Sequence, residues 1–489
     1  MGGEAGNVWL ELGGATVERW MIASGVLLLR DGTELRGNDC VLLAGLSSLY
    51  RRIREGMGGG GLGGNAAASV SPWLMNRTAV AFSTLPVEEI ERRLQREGIA
   101  ATLDGDSSAR RAVTARRYSV AVFDLTVAEV RRIYKSSSNI INDINYLSEG
   151  QCVSATVDER LRNIIAKAAV RALYLLGLDF GQVEVELDDW GRATIVEVNA
   201  RIAPSPVGEY ALGEVVAAFA EAWAEETQRG VEVTLGADPE FIMLAPDGKV
   251  VPASRYLPRE GDAGCDSIVV RGVRHWPLAE LRPAPASEPS AVAADLRRLL
   301  ASAARRTAGA KLTWRAGAGP VRGLPLGGHV HISGAALTSE RLRALDNAVA
   351  LPLRLLEPPS AAARRPRFGA LGDFRRQSHG GFEYRTPPSW LVSPRLARGA
   401  LALAKVAAEH ARELASSRPL DEDAVRDAFY SGDREALLAG ATAVHEALAK
   451  TRGYRVYEPL IEPLFRSIAR GATWNETADL RERWGISVT

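Results

Sequence analysis

From residue 78 onward the hydrophobic and polar positions fall into assignable periods. TAVAFSTL (78–85) reads as a strand, PVEEIERRLQREG (86–98) as a helix opened by proline and closed by glycine, and IAATLD (99–104) as a strand. RYSVAVFDL (117–125) predicts another strand, and ERLRNIIAKAAVRALYLLGL (159–178) carries apolar residues at helical spacing as far as Gly177. Two strands follow, FGQVEVEL (180–187) and ATIVEVNA (193–200), joined by the turn DDWGR, and a helix over 213–228 ends the block. Upstream, the Gly-rich start is harder to parse. GMGGGGLGGN (56–65) lacks the Lys-Ser/Thr of a Walker-type loop and reads as a flexible connection.

A second block opens at VEVTLGADPEFIMLAPDGKVV (231–251), two strands around a PDG turn. SIVVRG, LAELRP, GGHVHIS and FEYRTP continue the strand signals, with helices near 291–305 and 338–356. From Pro394 the pattern is helical, with runs over 394–416, 421–429 and 433–451. The expected class is α+β, in three parts: 1–232, 233–417 and a helical C-terminal extension, 418–489.

Composition narrows the function. At 489 residues more than one core is expected, and 60 basic against 59 acidic residues leave no field to attract nucleic acid. Three cysteines without C-x-x-C spacing argue against a disulfide scaffold. The N-terminus lacks a signal-peptide pattern and no early apolar run can span a bilayer, so a cytoplasmic enzyme without membrane or nucleic-acid partners is expected.

Two constellations carry chemistry. In the first, Glu197 and Asn199 share a strand face, and pairing across the DDWG turn brings Glu184 beside them. Three oxygen ligands so placed suit Mg2+ on triphosphate oxygens, whereas a hairpin with exposed acids is the plainer reading. The order helix, acidic strand, turn, E-x-N resembles the last third of the ATP-grasp fold over roughly 110–230. Arg201 extends the motif to E-x-N-x-R, which in the carboxylase-like branch implies a hold on an anionic substrate. That resemblance also implies a phosphate-binding lysine on an earlier strand. Before Glu184 the only lysines are Lys135 and Lys167, so Lys135 is the candidate, with Arg116 and Arg117 as substitutes.

The second constellation is a set of polar pairs on apolar strands: Asp238 and Glu240, Glu280 and Arg282, His329 and His331, Glu383 and Arg385. Each pair taken alone fits a salt bridge or a structural histidine. Together they point to one cleft, because buried charges are costly unless paired or bound to metal. The glycine pair before His329 is expected to admit a ligand. The basic loop RRPRFGALGDFRRQSHG adds Arg364, Arg365, Arg367, Arg375 and Arg376; a solvated basic surface is its plainer reading, but its place between the histidine strand and FEYR favours phosphate contact.

GADPEF, AELRP, GGHVHIS, the arginine-rich segment and FEYRTPPSWL resemble the phage-type COOH–NH2 ligases (amidoligases) of the glutamine synthetase-like group. The resemblance implies an antiparallel sheet curved into a cleft, with ATP and Mg2+ (or Mn2+) as cofactors. Glu240 and Glu280 would hold one metal; Asp238, His329 and Glu383 the other. His331 would sit near the phosphates, Arg385 at the acyl phosphate or the substrate carboxylate, and Arg364, Arg365 and Arg282 at the nucleotide. The expected substrates are small-molecule or peptide carboxylates and amines, and the family's relatives often assemble as oligomers. Three readings stand: two ligase modules in tandem, one active amidoligase beside a degenerate ATP-grasp-like binding domain, and a non-catalytic nucleotide-binding regulator.

Overall fold

The computed structural model describes residues 4–11, 25–30, 33–43, 71–103, 116–133 and 158–487. Lys135 and the Gly-rich 56–65 stretch lie outside the described residues. The chain forms two compact units, Met1–Gly230 and Val231–Thr489.

In the first unit, β1 (Val8–Glu11), β2 (Leu27–Leu28), β3 (Cys40–Leu43) and β4 (Trp73–Met75) form a parallel sheet in the order β2-β1-β3-β4. Helices α1 (Ala79–Ser83) and α2 (Val87–Arg96) follow. A second, antiparallel sheet has the order β6-β5-β7-β8, from β5 (Arg116–Phe123), β6 (Thr126–Ile133), β7 (Phe180–Leu187) and β8 (Ala193–Asn199). Helix α3 (Glu159–Leu175) packs on this sheet, and α4 (Pro206–Arg229) ends the unit. Leu10, Trp73, Phe123, Phe180 and Trp223 share one core.

Three local expectations change. TAVAFSTL is not a strand: its buried residues, Ala79 and Phe82, recur at helical spacing while Val80 faces water, and the segment forms α1. IAATLD makes only a single bridge, Ala101 to Ile195. Helix α4 starts at Pro206 rather than 213, because Ser205 caps it by accepting from the Gly208 amide at 3.0 Å and proline suits the first turn.

The second unit holds two antiparallel sheets. One has the order β16-β17-β15-β9, from β9 (Thr234–Ala237), β15 (Val330–Ser333), β16 (Phe374–Arg376) and β17 (Phe382–Tyr384). The other has the order β11-β10-β13-β12, with β14 on β10. Its strands are β10 (Glu240–Leu244), β11 (Val250–Val251), β12 (Ala263–Val270), β13 (Val273–Leu281) and β14 (Thr313–Arg315). The segment expected to run as one strand through Asp238 and Glu240 instead changes sheets at Asp238-Pro239. Proline has no amide proton for the ladder, so the strand breaks there.

Behind the sheets lie α5 (Pro289–Arg306), α6 (Ser339–Leu345), a π-turn (Asp346–Ala350), α7 (Leu351–Leu356) and α8 (Pro394–Glu409). Then come α9 (Asp423–Ser431), α10 (Arg434–Lys450), α11 (Arg452–Ala469) and α12 (Leu480–Arg483). Helix α11 lies along α8, so the stretch from 418 packs within this unit. At Gly399 a Cβ would stand 2.6 Å from Leu464, so the α8–α11 crossing requires glycine there. Among the described residues, no helix is long and apolar enough to cross a membrane.

Candidate active site

The cleft is built from two cross-strand rows. Across the first sheet, Arg375 faces Glu383, Glu383 faces His331, and His331 faces Gly236. Cross-strand partners point the same way, so three functional side chains stand together. Gly236 leaves room for the imidazole, since a Cβ there would lie 3.2 Å from the His331 Cβ. Across the second sheet, Glu240 faces Glu280, and Glu280 faces Gly264. Two carboxylates directly opposite each other are destabilising unless a proton or a cation lies between them. Asp238, at the switch between sheets, joins the rows.

Burial makes these charges expensive. Asp238, Glu240, Glu280 and Glu383 are all buried. His329 Nδ1 lies 3.0 Å from Asp238 Oδ1 and 3.1 Å from Glu383 Oε1, yet none of these three buried atoms has a hydrogen-bond partner. His331 Nε2 is 3.2 Å from Asp238 Oδ2. One ligand atom each from Asp238, His331 and Glu383 fall within 4.8 Å of one another. Arg375 and Gln377 donate to Glu383 Oε2 at 2.6 and 3.2 Å, and Arg385 Nε approaches Oε1 at 3.0 Å. The Glu280 carboxylate pairs with Arg282, whose other nitrogen donates to the Gly261 carbonyl at 2.9 Å.

The protonation pattern follows. Burial pushes Glu240 up to about 7, and burial together with the charge of Asp238 pushes Glu280 to about 9. For Asp238 burial acts upward, but the two adjacent imidazoles outweigh it and hold the carboxyl low. His329 is raised: burial opposes its charge, and the carboxylate of Asp238 more than compensates. Arg282 pairs with Glu280, Arg375 and Arg385 with Glu383, and His329 with Asp238, so among the four buried acids Glu240 is the one without a cationic partner. Orphaned carboxylate and imidazole atoms around a shared space fit a hard divalent cation.

A cavity of about 400 Å3 opens over these rows and is lined by Asp238, Glu280, Arg282, His331, Arg375 and Arg385 among others. Asp266 reaches it from β12; Gln377 and His379, which sequence reasoning left out, also line it. Gln377 was legible as the i+2 companion of Arg375.

The remaining candidate arginines do not line this cavity, although Arg364 feels the charge of Glu240. Arg365 forms a two-pronged pair with Glu357, at 2.7 Å for both bonds, and stacks over Phe429. Its guanidinium is committed to the interior. Arg364 is enclosed and lowered to about 10 by burial, with its Nε and Nη1 unpartnered. Arg367 is exposed and stacks on Phe368. The glycine pair also has a different role from the one expected. A Cβ at Gly327 would lie 2.4 Å from His329 Nε2, and one at Gly328 would lie 2.2 Å from the Pro388 carbonyl. These glycines admit the protein's own groups rather than a ligand.

In the first unit, Glu184 faces Glu197 and Gln182 faces Asn199 across the hairpin. Arg117, on the neighbouring strand, binds Glu184 and lies 3.6 Å from Glu197. Burial raises Glu184 against the pull of Arg117. The Asn199 side-chain oxygen accepts from the Arg201 amide at 2.9 Å, while Arg201 itself is exposed.

In the second unit, arginines that can receive phosphate face acids that can hold the cation travelling with it. This is the chemistry of enzymes that use ATP to join a carboxylate to an amine. The sequence agrees: the chain belongs to the phage phiEco32-like COOH.NH2 ligase-type 2 family, whose model matches residues 235–486. It is an ATP-dependent carbon–nitrogen ligase. No curated protein matches the chain. Among solved structures, the ATP-grasp ligase PsnB complexed with minimal precursor is similar at 11% identity and TM-score 0.28, over 44% of this chain and 99% of that one. GmaS without ligand is similar at 14% identity and TM-score 0.28, over 58% of this chain and 80% of that one. A bifunctional glutathione synthetase from Pasteurella multocida is similar at 11% identity and TM-score 0.29, over 52% of this chain and 48% of that one.

Proposed function

We propose that the cleft of the second unit activates a carboxylate as an acyl phosphate and passes it to an amine, in a small molecule or a peptide. A carboxylate oxygen attacks the γ-phosphorus of ATP, the bond from that phosphorus to the β-bridging oxygen breaks, and ADP leaves. The amine nitrogen then attacks the acyl carbon, phosphate departs, and the amine proton is released. The observation that carries this reading is the gathering of four buried acids on facing strands, with atoms on Asp238, His329 and Glu383 that make ion pairs but no hydrogen bond, beside arginines.

Divalent cations, Mg2+ or Mn2+, would be held by Glu240 and Glu280 at one position and by Asp238, His329 and Glu383 at another, and when bound would neutralise the charge of the ATP phosphates. Arg375 and Arg385, already at the mouth of the cleft, would steady the phosphoryl group in transfer and the carboxylate that receives it. Arg282 would hold the nucleotide, and His331 would face the phosphates.

A second observation bears on the first unit. Its acid pair already shares a cation, since Arg117 binds Glu184 and lies 3.6 Å from Glu197. This favours one active ligase cleft, with residues 1–232 as an ATP-grasp-like domain that binds substrate or nucleotide without turnover. Purified protein with Mg2+ and a panel of carboxylates and amines is the test. ADP release should require both substrates, and an 18O-labelled carboxylate should deliver its label to the released phosphate. Release of pyrophosphate instead of phosphate would rule out the acyl-phosphate route.

A further inference from the structure

A second cavity of the ligase unit, about 550 Å3, opens where α8 begins. Its lining shares no residue with the cleft described above. Three arginines contribute to it: Arg395 and Arg398 from the first turns of α8, and Arg483 from α12. No aspartate or glutamate lines it. Among the described residues, the side chains of Arg395 and Arg483 make no ion pair or hydrogen bond, and the Arg398 Nε reaches only the Pro394 carbonyl, at 3.3 Å. Of the acids nearby, Glu476 accepts from the Ala318 amide and the Trp474 indole, and Asp479 pairs with Arg481. Surface arginines usually find a carboxylate, so three around one acid-free pocket leave a local positive field unbalanced.

The remaining walls are apolar or neutral. Leu356, Leu396 and Leu464 contribute, with Trp474. That indole is fixed, because its Nε1 donates to Glu476 at 2.9 Å and its backbone amide donates to the Leu356 carbonyl at 2.8 Å. A pocket of this size matches those that enclose small ligands. Guanidinium forks suit phosphate oxygens, and a held indole offers a flat apolar surface at little entropic cost.

We propose that this pocket is a second binding site, taking a small organic phosphate that carries a flat apolar group. Three cations exceed what a single carboxylate would balance, which favours phosphate. The site is separate from catalysis, so its ligand binds whether or not the cleft is intact.

The probe is 1-naphthyl phosphate, titrated calorimetrically into the full chain, with inorganic phosphate and 1-naphthol as the separate halves of the ligand. The proposal expects saturable 1:1 binding, weakened about tenfold or more in Arg395→Glu/Arg483→Glu and unchanged in Glu240→Gln. Arg395→Gln/Arg483→Gln removes the charges without reversing them and should weaken binding similarly, with thermal unfolding showing that both variants fold. Trp474→Leu should weaken 1-naphthyl phosphate more than inorganic phosphate. Binding lost only in Glu240→Gln would place the anion in the cleft and overturn the proposal. So would absence of saturable binding, or binding indifferent to both arginine pairs.

Discussion

The two units each gather acids on paired strands, yet they treat the charge in opposite ways. In the first, Glu184 and Glu197 stand opposite one another with Arg117 from the adjacent strand between them, so the cation is built in. In the second, Glu240 and Glu280 stand opposite one another, and Arg282 serves only Glu280, while Asp238 and Glu383 converge on His329 with atoms left over. Like charges directly across a ladder repel. A sheet that keeps such a pair with a counter-charge for Glu280 and none for Glu240 is arranged around something that arrives from outside. The difference separates an acid pair that completes the fold from an acid set that awaits a ligand.

The comparison breaks most easily at Glu280. Glu280→Gln should abolish divalent-cation binding and lower ligase turnover by roughly a hundredfold or more, as loss of a metal ligand does. Calorimetric Mn2+ titration and ADP release check the two halves.

Next in size is a pH effect. Glu240 and Glu280 have pKa values raised on folding, to about 7 and about 9, from the usual 4.5. The unfolded chain therefore ionises first, and metal-free stability should fall as pH rises from 5 to 9. Millimolar Mg2+ should flatten that fall. Thermal unfolding at pH 5, 7 and 9, with and without metal, measures it; a metal-free protein equally stable across this range would contradict the assigned shifts.

The smallest expected change is at Arg117. Arg117→Ala removes the built-in cation and should add a weak Mn2+ site to the first unit, a gain of about 1 kcal/mol in binding, typical of a partly exposed pair. If the wild type already binds Mn2+ in a Glu197-dependent way, the contrast between the units fails.

Much of this was legible in the sequence because the informative positions are local. The β7–β8 hairpin matches its reading nearly residue for residue: DDWGR fixes the register as far as Val185–Ile195, and a bulge beyond it, which the sequence did not show, sets Glu184 opposite Glu197. The histidine and Glu383 strands were likewise visible as i, i+2 pairs. What escaped depends on contacts distant in sequence. Arg117 reads as a free cation until the pairing of β5 with β7 brings it to the acids. Strand β6 was hidden because its hairpin turns on Asp124 and Leu125, both at positive φ without glycine. Pro239 sits within an apolar run and gives no sign of which two sheets it separates. Helix α11 carries Pro459 and Pro463, which obscured its continuity.

The most direct measurement is amine-dependent ADP release by the full chain, with Glu197→Gln and Glu280→Gln measured side by side in the same substrate mixture. The account predicts that Glu197→Gln turns over within about twofold of the wild type while Glu280→Gln is essentially inactive. Loss of turnover in Glu197→Gln with Glu280→Gln still active would move the chemistry to the first unit and contradict it.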